Sequence, residues 1–160
     1  MRGTSPKESG FSLIELLVVV SIIAILASIA FVALSSARIK SRDSRRIQDL
    51  RQIANAVALR EDNSRPIVFT GCTAAGDAAY TCAGSGPDLS AYKDPTRPTA
   101  ICTSSSSAPC EYTVFTETGN VYPATSHNWK VCAYLEAGPP IRQDPGMIRI
   151  QTGGSLMIGC

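Results

Sequence analysis

Glycine and proline are missing from residues 11–65, although the 160-residue chain holds twelve of the first and ten of the second. So long a stretch without either backbone breaker, rich in Leu, Ile, Ala, Arg and Ser, predicts one long helix. Other absences narrow the function. The chain has a single histidine, His127, and lacks a paired-carboxylate motif, a phosphate-cradling glycine loop and G-x-S-x-G. It reads as a non-enzyme, with His127 a strand-edge residue rather than a base. No C-x-x-C accompanies the lone histidine, which sets zinc aside. No N-x-S/T sequon suggests N-glycosylation. A net charge of +2 is too small to make nucleic acid the main partner.

What is present is divided unevenly. Residues 66–160 hold all six cysteines, all five tyrosines and most of the breakers, a composition suited to strands and loops. The change falls near Ser64-Arg65-Pro66. The first ten residues, MRGTSPKESG, are polar and carry Arg2 and Lys7. Then comes "FSLIELLVVVSIIAILASIAFVAL", Phe11 to Leu34, interrupted only by Ser12, Glu15, Ser21 and Ser28. As a helix this run is long enough to cross the ~30 Å hydrocarbon core of a bilayer. The sequence therefore divides into a leader (1–10), an apolar half-helix (11–34), a second half-helix (35–65) and a cysteine-bearing module (66–160).

An ordinary secretory signal peptide competes with this reading, since Ser35-Ser36-Ala37 offers a small-residue cleavage site. The chain would then be a secreted or membrane-anchored binding domain held by disulfides. Against it, the apolar run is about twice the usual h-region of ~7–15 residues. The basic residues Arg38, Lys40, Arg42, Arg45 and Arg46 follow the run, and a bare charge count would place the carboxyl side in the cytoplasm. Cysteines in a Gly/Pro-rich module point instead to an oxidising compartment. The cysteines decide, because a long domain can be translocated despite flanking charge.

From Arg38 to Leu59, the residues Ile39, Ile47, Leu50, Ile53, Ala54, Val57 and Ala58 fall mostly three or four apart and form one apolar stripe. The 66–160 module is its expected cover. Arg38, Arg42 and Arg46 repeat at i+4, a like-charge row. Either it is solvated or snorkels to headgroups, or it meets acidic groups of neighbouring subunits.

Strand signals cluster late. "CEYTVFTET" (110–118) and "NWKVCAYLE" (128–136) are rich in β-branched and aromatic residues. In the second, Trp129, Val131, Ala133 and Leu135 alternate with Lys130, Cys132, Tyr134 and Glu136, the pattern of a half-buried strand. "MIRIQTGGSLMIG" (147–159) predicts a hairpin turning at Gly153-Gly154. About four antiparallel strands are expected, with one apolar face for the helix stripe. The spacings Cys72-x9-Cys82, Cys102-x7-Cys110 and Cys132-x27-Cys160 invite pairing in sequence order, although six cysteines permit 15 connectivities. The Thr/Ser run 103–107 predicts a mobile loop tip.

Gly10 followed by "FSLIELLVVVSIIAILASI" resembles the type III signal of type IV prepilins and of the related type II secretion pseudopilins. The resemblance implies cleavage between Gly10 and Phe11 by a membrane peptidase, which also methylates the new Phe11 amine. "SSARIKSRDSRRIQDLRQIANAV" followed by "DNSRPIVF" looks further like the major-pseudopilin branch. The fold this resemblance implies is a pilin-like α+β roll, one long helix on a small antiparallel sheet. As partners it implies identical or related subunits, the peptidase/methyltransferase, the assembly machinery, and membrane lipid before assembly. No cofactor is expected. Calcium enters only by analogy with an acidic loop of the family, for which Asp144 in "DPG" is the lone candidate. Ala24 and Val32 stand where many members carry glycine and proline, so the helix should run unkinked from about Phe11 to Leu59, roughly 75 Å.

The resemblance also supplies a partner for Glu15. An unpaired carboxylate at a bilayer centre costs at least ~2.5–3.5 kcal/mol. A salt bridge to the processed Phe11 amine of a neighbouring subunit would offset that cost.

Overall fold

The computed structural model of the chain describes residues 10–61, 65–118, 121–138 and 145–160. Leader residues 1–9, Ser64 at the composition boundary and the calcium candidate Asp144 lie outside the described residues. Helix α1 runs unbroken over Leu13–Ala58, 46 residues. The chain falls into two compact units, Met1–Arg38 and Ile39–Cys160, so the division lies inside α1.

In the first unit the helix is bare. Its large apolar side chains are all exposed, from 46% at Leu34 to 86% at Phe11. This part of α1 is long and apolar enough to cross a membrane. Its two internal serines keep their hydroxyls inside the helix: Ser21 Oγ donates to the Val18 carbonyl at 2.8 Å and Ser28 Oγ to Ile25 at 2.7 Å. Neither adds an unsatisfied polar group to an apolar surface.

In the second unit α1 meets a five-stranded antiparallel sheet of order β1-β2-β3-β4-β5: β1 Asp77–Ala78, β2 Thr113–Phe115, β3 Lys130–Leu135, β4 Gly146–Gln151 and β5 Leu156–Ile158. One long helix packed on this sheet is the α+β arrangement of a pilin-like fold. Leu50, Ile53, Ala54 and Val57 bury against Phe69, Val114, Trp129, Val131, Ala133, Leu135, Ile148 and Ile150. Ala58, expected at the end of the stripe, is exposed. The predicted hairpin turns through Gly153 and Gly154 at φ 84° and 74°, closed by the Gly154 N–H donating to the Gln151 carbonyl at 2.8 Å. Both glycines take the left-handed backbone that L side chains avoid.

The sheet has one strand more than expected. β1 is two residues long, within an Ala/Gly-rich stretch of no strand propensity, and is held by pairing Asp77 with Val114 and Ala78 with Thr113. The half-buried reading of β3 is corrected as well. Cys132 and Tyr134 on its other face are also buried, in a second cluster with Cys102, Cys110 and Met147. Disulfides Cys102–Cys110 and Cys132–Cys160 belong to that cluster and roof the sheet face away from α1. The third bridge, Cys72–Cys82, lies in the main core. Beside it Gly71 has φ 87°, and a Cβ there would stand 2.2 Å from the Thr81 carbonyl oxygen. That close approach admits glycine alone. The Thr/Ser run forms a closed turn, and His127 sits in a turn instead of on a strand edge, its Nε2 3.4 Å from Glu61 Oε1.

Candidate functional site

Charged residues sit at apolar positions of α1 in both units, Glu15 in the first and Arg46 with Asp43 in the second. Glu15 lies in the first turn of the helix. Its Oε2 accepts the Ser12 backbone N–H at 3.0 Å, while Ser12 Oγ accepts the Ile14 N–H at 3.3 Å. Ser12 is the N-cap, its hydroxyl taking the second helical N–H, and Glu15 three residues on reaches back to the Ser12 N–H as in a capping box. Two backbone donors of the helix start are thereby satisfied, and the carboxylate stands at the positive end of the helix dipole. The S-x-x-E spacing was the sequence signal for this arrangement, and sequence reasoning missed it. Gly10 and Phe11 immediately precede the box, and both are exposed. Among the described residues a Cβ built on Gly10 meets nothing within 4 Å.

In the second unit, Arg46 is fully buried. Its Nε and Nη2 donate to the two oxygens of Asp94 at 2.6 and 3.0 Å, and its Nη1 donates to Asp43 Oδ1 at 2.8 Å and Glu136 Oε1 at 2.7 Å. Arg42 makes a second fork onto Glu136, from Nε at 2.8 Å and Nη2 at 2.5 Å. Asp43 completes the junction by accepting the backbone N–H groups of Glu136 and Ala137 at 2.9 and 2.6 Å. One turn of α1 is thus bolted to the end of β3 and to the 94–97 turn. The neighbouring-subunit reading of the arginine row is therefore corrected for Arg42 and Arg46, whose acidic partners lie in the same chain, and the solvated reading is corrected for the buried Arg46. Arg38 stays exposed.

Electrostatics follow from this packing. The Arg42 hydrogen bonds, helped by those of Arg46, hold the Glu136 carboxyl down to about 2 despite its partial burial. Burial works against the charge on Arg46, but bonds to Asp94 and Glu136 outweigh it and raise the guanidinium above its ordinary value. Nearby, burial pushes the Asp49 and Glu111 carboxyls up. Asp49 accepts a hydrogen bond from the buried Tyr112 hydroxyl at 2.9 Å. This cluster is a structural junction: all its charges are engaged, and among the described residues no group of metal-ligating side chains forms.

Comparison with known proteins bears on the first site. Residues 5–31 match the family model of the prokaryotic N-terminal methylation motif, the prepilin-type cleavage and methylation signal. The match spans the leader's end, Gly10, Phe11, the Ser12–Glu15 box and most of the apolar run. It supports a type IV pilin-like precursor, a structural subunit rather than an enzyme. Searches of curated proteins and of solved structures found no match.

Proposed function

We propose that the chain is a prepilin-type subunit, cut between Gly10 and Phe11 and methylated on the new Phe11 amine. It is held in the cytoplasmic membrane by the apolar part of α1, with the disulfide-bearing module outside. From there it assembles with identical or related subunits into a type IV pilus or a type II secretion pseudopilus. The observation that carries this reading is that the methylation motif runs into a bare apolar helix in which Glu15 is the one acidic residue before Asp43. Three disulfides support an oxidising location for the module.

The box explains how Glu15 is tolerated in stages. Before assembly, the Ser12 N–H and the helix dipole offset part of its desolvation cost. That bond occupies Oε2. In the filament, the Phe11 amine of a neighbouring subunit supplies the full counter-charge.

Glu15→Gln tests this step. The variant should still insert, since removing the charge eases insertion, and should still be cut after Gly10. Its yield of sheared filament should fall sharply, because the amine enters the filament core without a counter-charge. Normal filament yield beside an unchanged membrane pool would contradict the pairing.

A further inference from the structure

We propose that the pocket at the carboxyl end of α1 is an alkylammonium-binding site, built on Trp129 and Glu61. The cavity has a volume of about 240 Å³ and opens between the end of α1, the turn before β3 and the β4–β5 hairpin. It exists because its walls are short. Ala54 and Ala58 on the helix line it together with Gly153 and Gly154 of the hairpin turn, and a Cβ built on Gly154 would stand 4.0 Å from the Ala54 Cβ. Larger side chains at these four positions would close it.

The lining selects the ligand. Trp129 is buried in the core yet gives the cavity its aromatic surface. Among the described residues Glu61 is the one charged residue of the lining, its carboxylate exposed and its Oε1 3.4 Å from His127 Nε2. The last turn of α1 carries no basic residue, and Arg60 just beyond it is not part of the lining. The negative end of the helix dipole therefore adds to the carboxylate. A cation is favoured beside both a carboxylate and an indole ring. The apolar walls ask for a short alkyl stem behind it. A primary ammonium on such a stem meets every condition, whereas an anion or an uncharged apolar group does not.

That chemistry has two sources, a free alkylamine or a lysine of a second copy of the chain. Among the described lysines, Lys93 Nζ stands 4.6 Å from the centre of the Tyr80 ring and Lys130 Nζ 5.8 Å from that of Phe115. Lys40 is exposed and has no such ring, so it is the lysine a neighbour can lend. It lies about 27 Å along α1 from Ala58 at the helical rise per residue, too far to enter the pocket of its own chain. A contact between opposite ends of the module repeats from copy to copy instead of closing. The free-amine source is independent of the subunit reading above, and the second-copy source rests on it.

The test is titration of the full chain in non-ionic detergent with n-pentylammonium chloride, read by the fluorescence of Trp129, the single tryptophan. A saturable change is expected that neither sodium chloride nor 1-pentanol reproduces. It should weaken about tenfold or more in Glu61→Gln, which loses the charged acceptor. It should vanish in Ala58→Phe, whose ring fills the cavity from an exposed helix position. Both variants should keep the melting temperature of the unaltered chain. A response that does not saturate, that 1-pentanol reproduces, or that survives intact in either variant would overturn the proposal. Carbodiimide, which couples an amine to a carboxylate in contact with it, then separates the sources in membrane-extracted or filament protein. A Lys40–Glu61 cross-linked peptide assigns the ammonium to a second copy. Its absence beside intact pentylammonium binding assigns the site to a free amine.

Discussion

Glu15 and Arg46 lie on one helix, each a charge on an apolar face, and they are treated in opposite ways. Arg46 finds its complement within the chain: four hydrogen bonds to three carboxylates, with no surface left to solvent. Glu15 has one backbone N–H and otherwise stands among exposed apolar side chains. The same division holds for the apolar residues around them. Leu50, Ile53 and Val57 are buried by the sheet of their own chain, whereas Leu16, Val19 and Ile23 are bare. A folded module completes its own electrostatics. The amino-terminal segment leaves both its apolar surface and its charge uncovered by its own chain, as the proposed membrane and subunit contacts require.

Removing Arg46 should break the finished half most severely. Arg46→Leu leaves Asp94 and Asp43 buried without a counter-charge, while Glu136 keeps its Arg42 fork, and should destabilise the module by about 3–5 kcal/mol. Chemical denaturation of the detergent-solubilised chain, followed by the fluorescence of buried Trp129, measures this. Insertion into membranes should be unchanged, since the apolar segment is untouched.

Acid should weaken the same junction more gently. The Glu136 carboxyl sits near 2 in the folded chain against an ordinary 4.5, so its contribution is present above the unfolded value and lost as pH falls through the folded one. That contribution is on the order of 3 kcal/mol at most, reduced by solvent screening at the carboxylate's exposed edge. Asp49 and Glu111 act with the other sign, since their raised values mean that ionisation costs the fold something at neutral pH. Melting temperature should therefore hold or rise slightly on mild acidification, then fall as pH drops from the ordinary carboxylate range toward 2. In Glu136→Gln the steep acid limb should flatten.

The unfinished half should respond least to a local change. Ser12→Ala removes the N-cap hydroxyl and should loosen the first turn by about 1 kcal/mol. The fold of the module should be unaffected, as seen by its melting temperature. Amide exchange in detergent micelles should speed up most at Ile14, whose N–H the hydroxyl accepts.

Much of this was legible in the sequence. The expected helix from about Phe11 to Leu59 agrees with α1 to within two residues at either end, although the breaker-free stretch runs on to residue 65. The alternation around Trp129, Val131, Ala133 and Leu135 identified one buried face of β3. Local rules failed where partners distant in sequence decide the outcome. β1 exists because β2 offers an edge, and Cys132 and Tyr134 are covered because disulfides and Met147 close over them. Arg46 is a different case. It lies four residues before Leu50 and three after Asp43, on the apolar stripe itself. A charged pair at stripe positions was a signal of burial, but the i+4 spacing of the arginines drew the eye to a solvated row. The Ser12–Glu15 box was equally readable from its spacing.

The central claim, that the apolar half of α1 is a processed assembly segment, is tested most directly at the amino terminus of the mature protein. Intact-mass and Edman analysis of membrane-extracted chain should find a start at Phe11 carrying an N-methyl group. A start after Ala37, or a chain still beginning at Met1, would contradict the account.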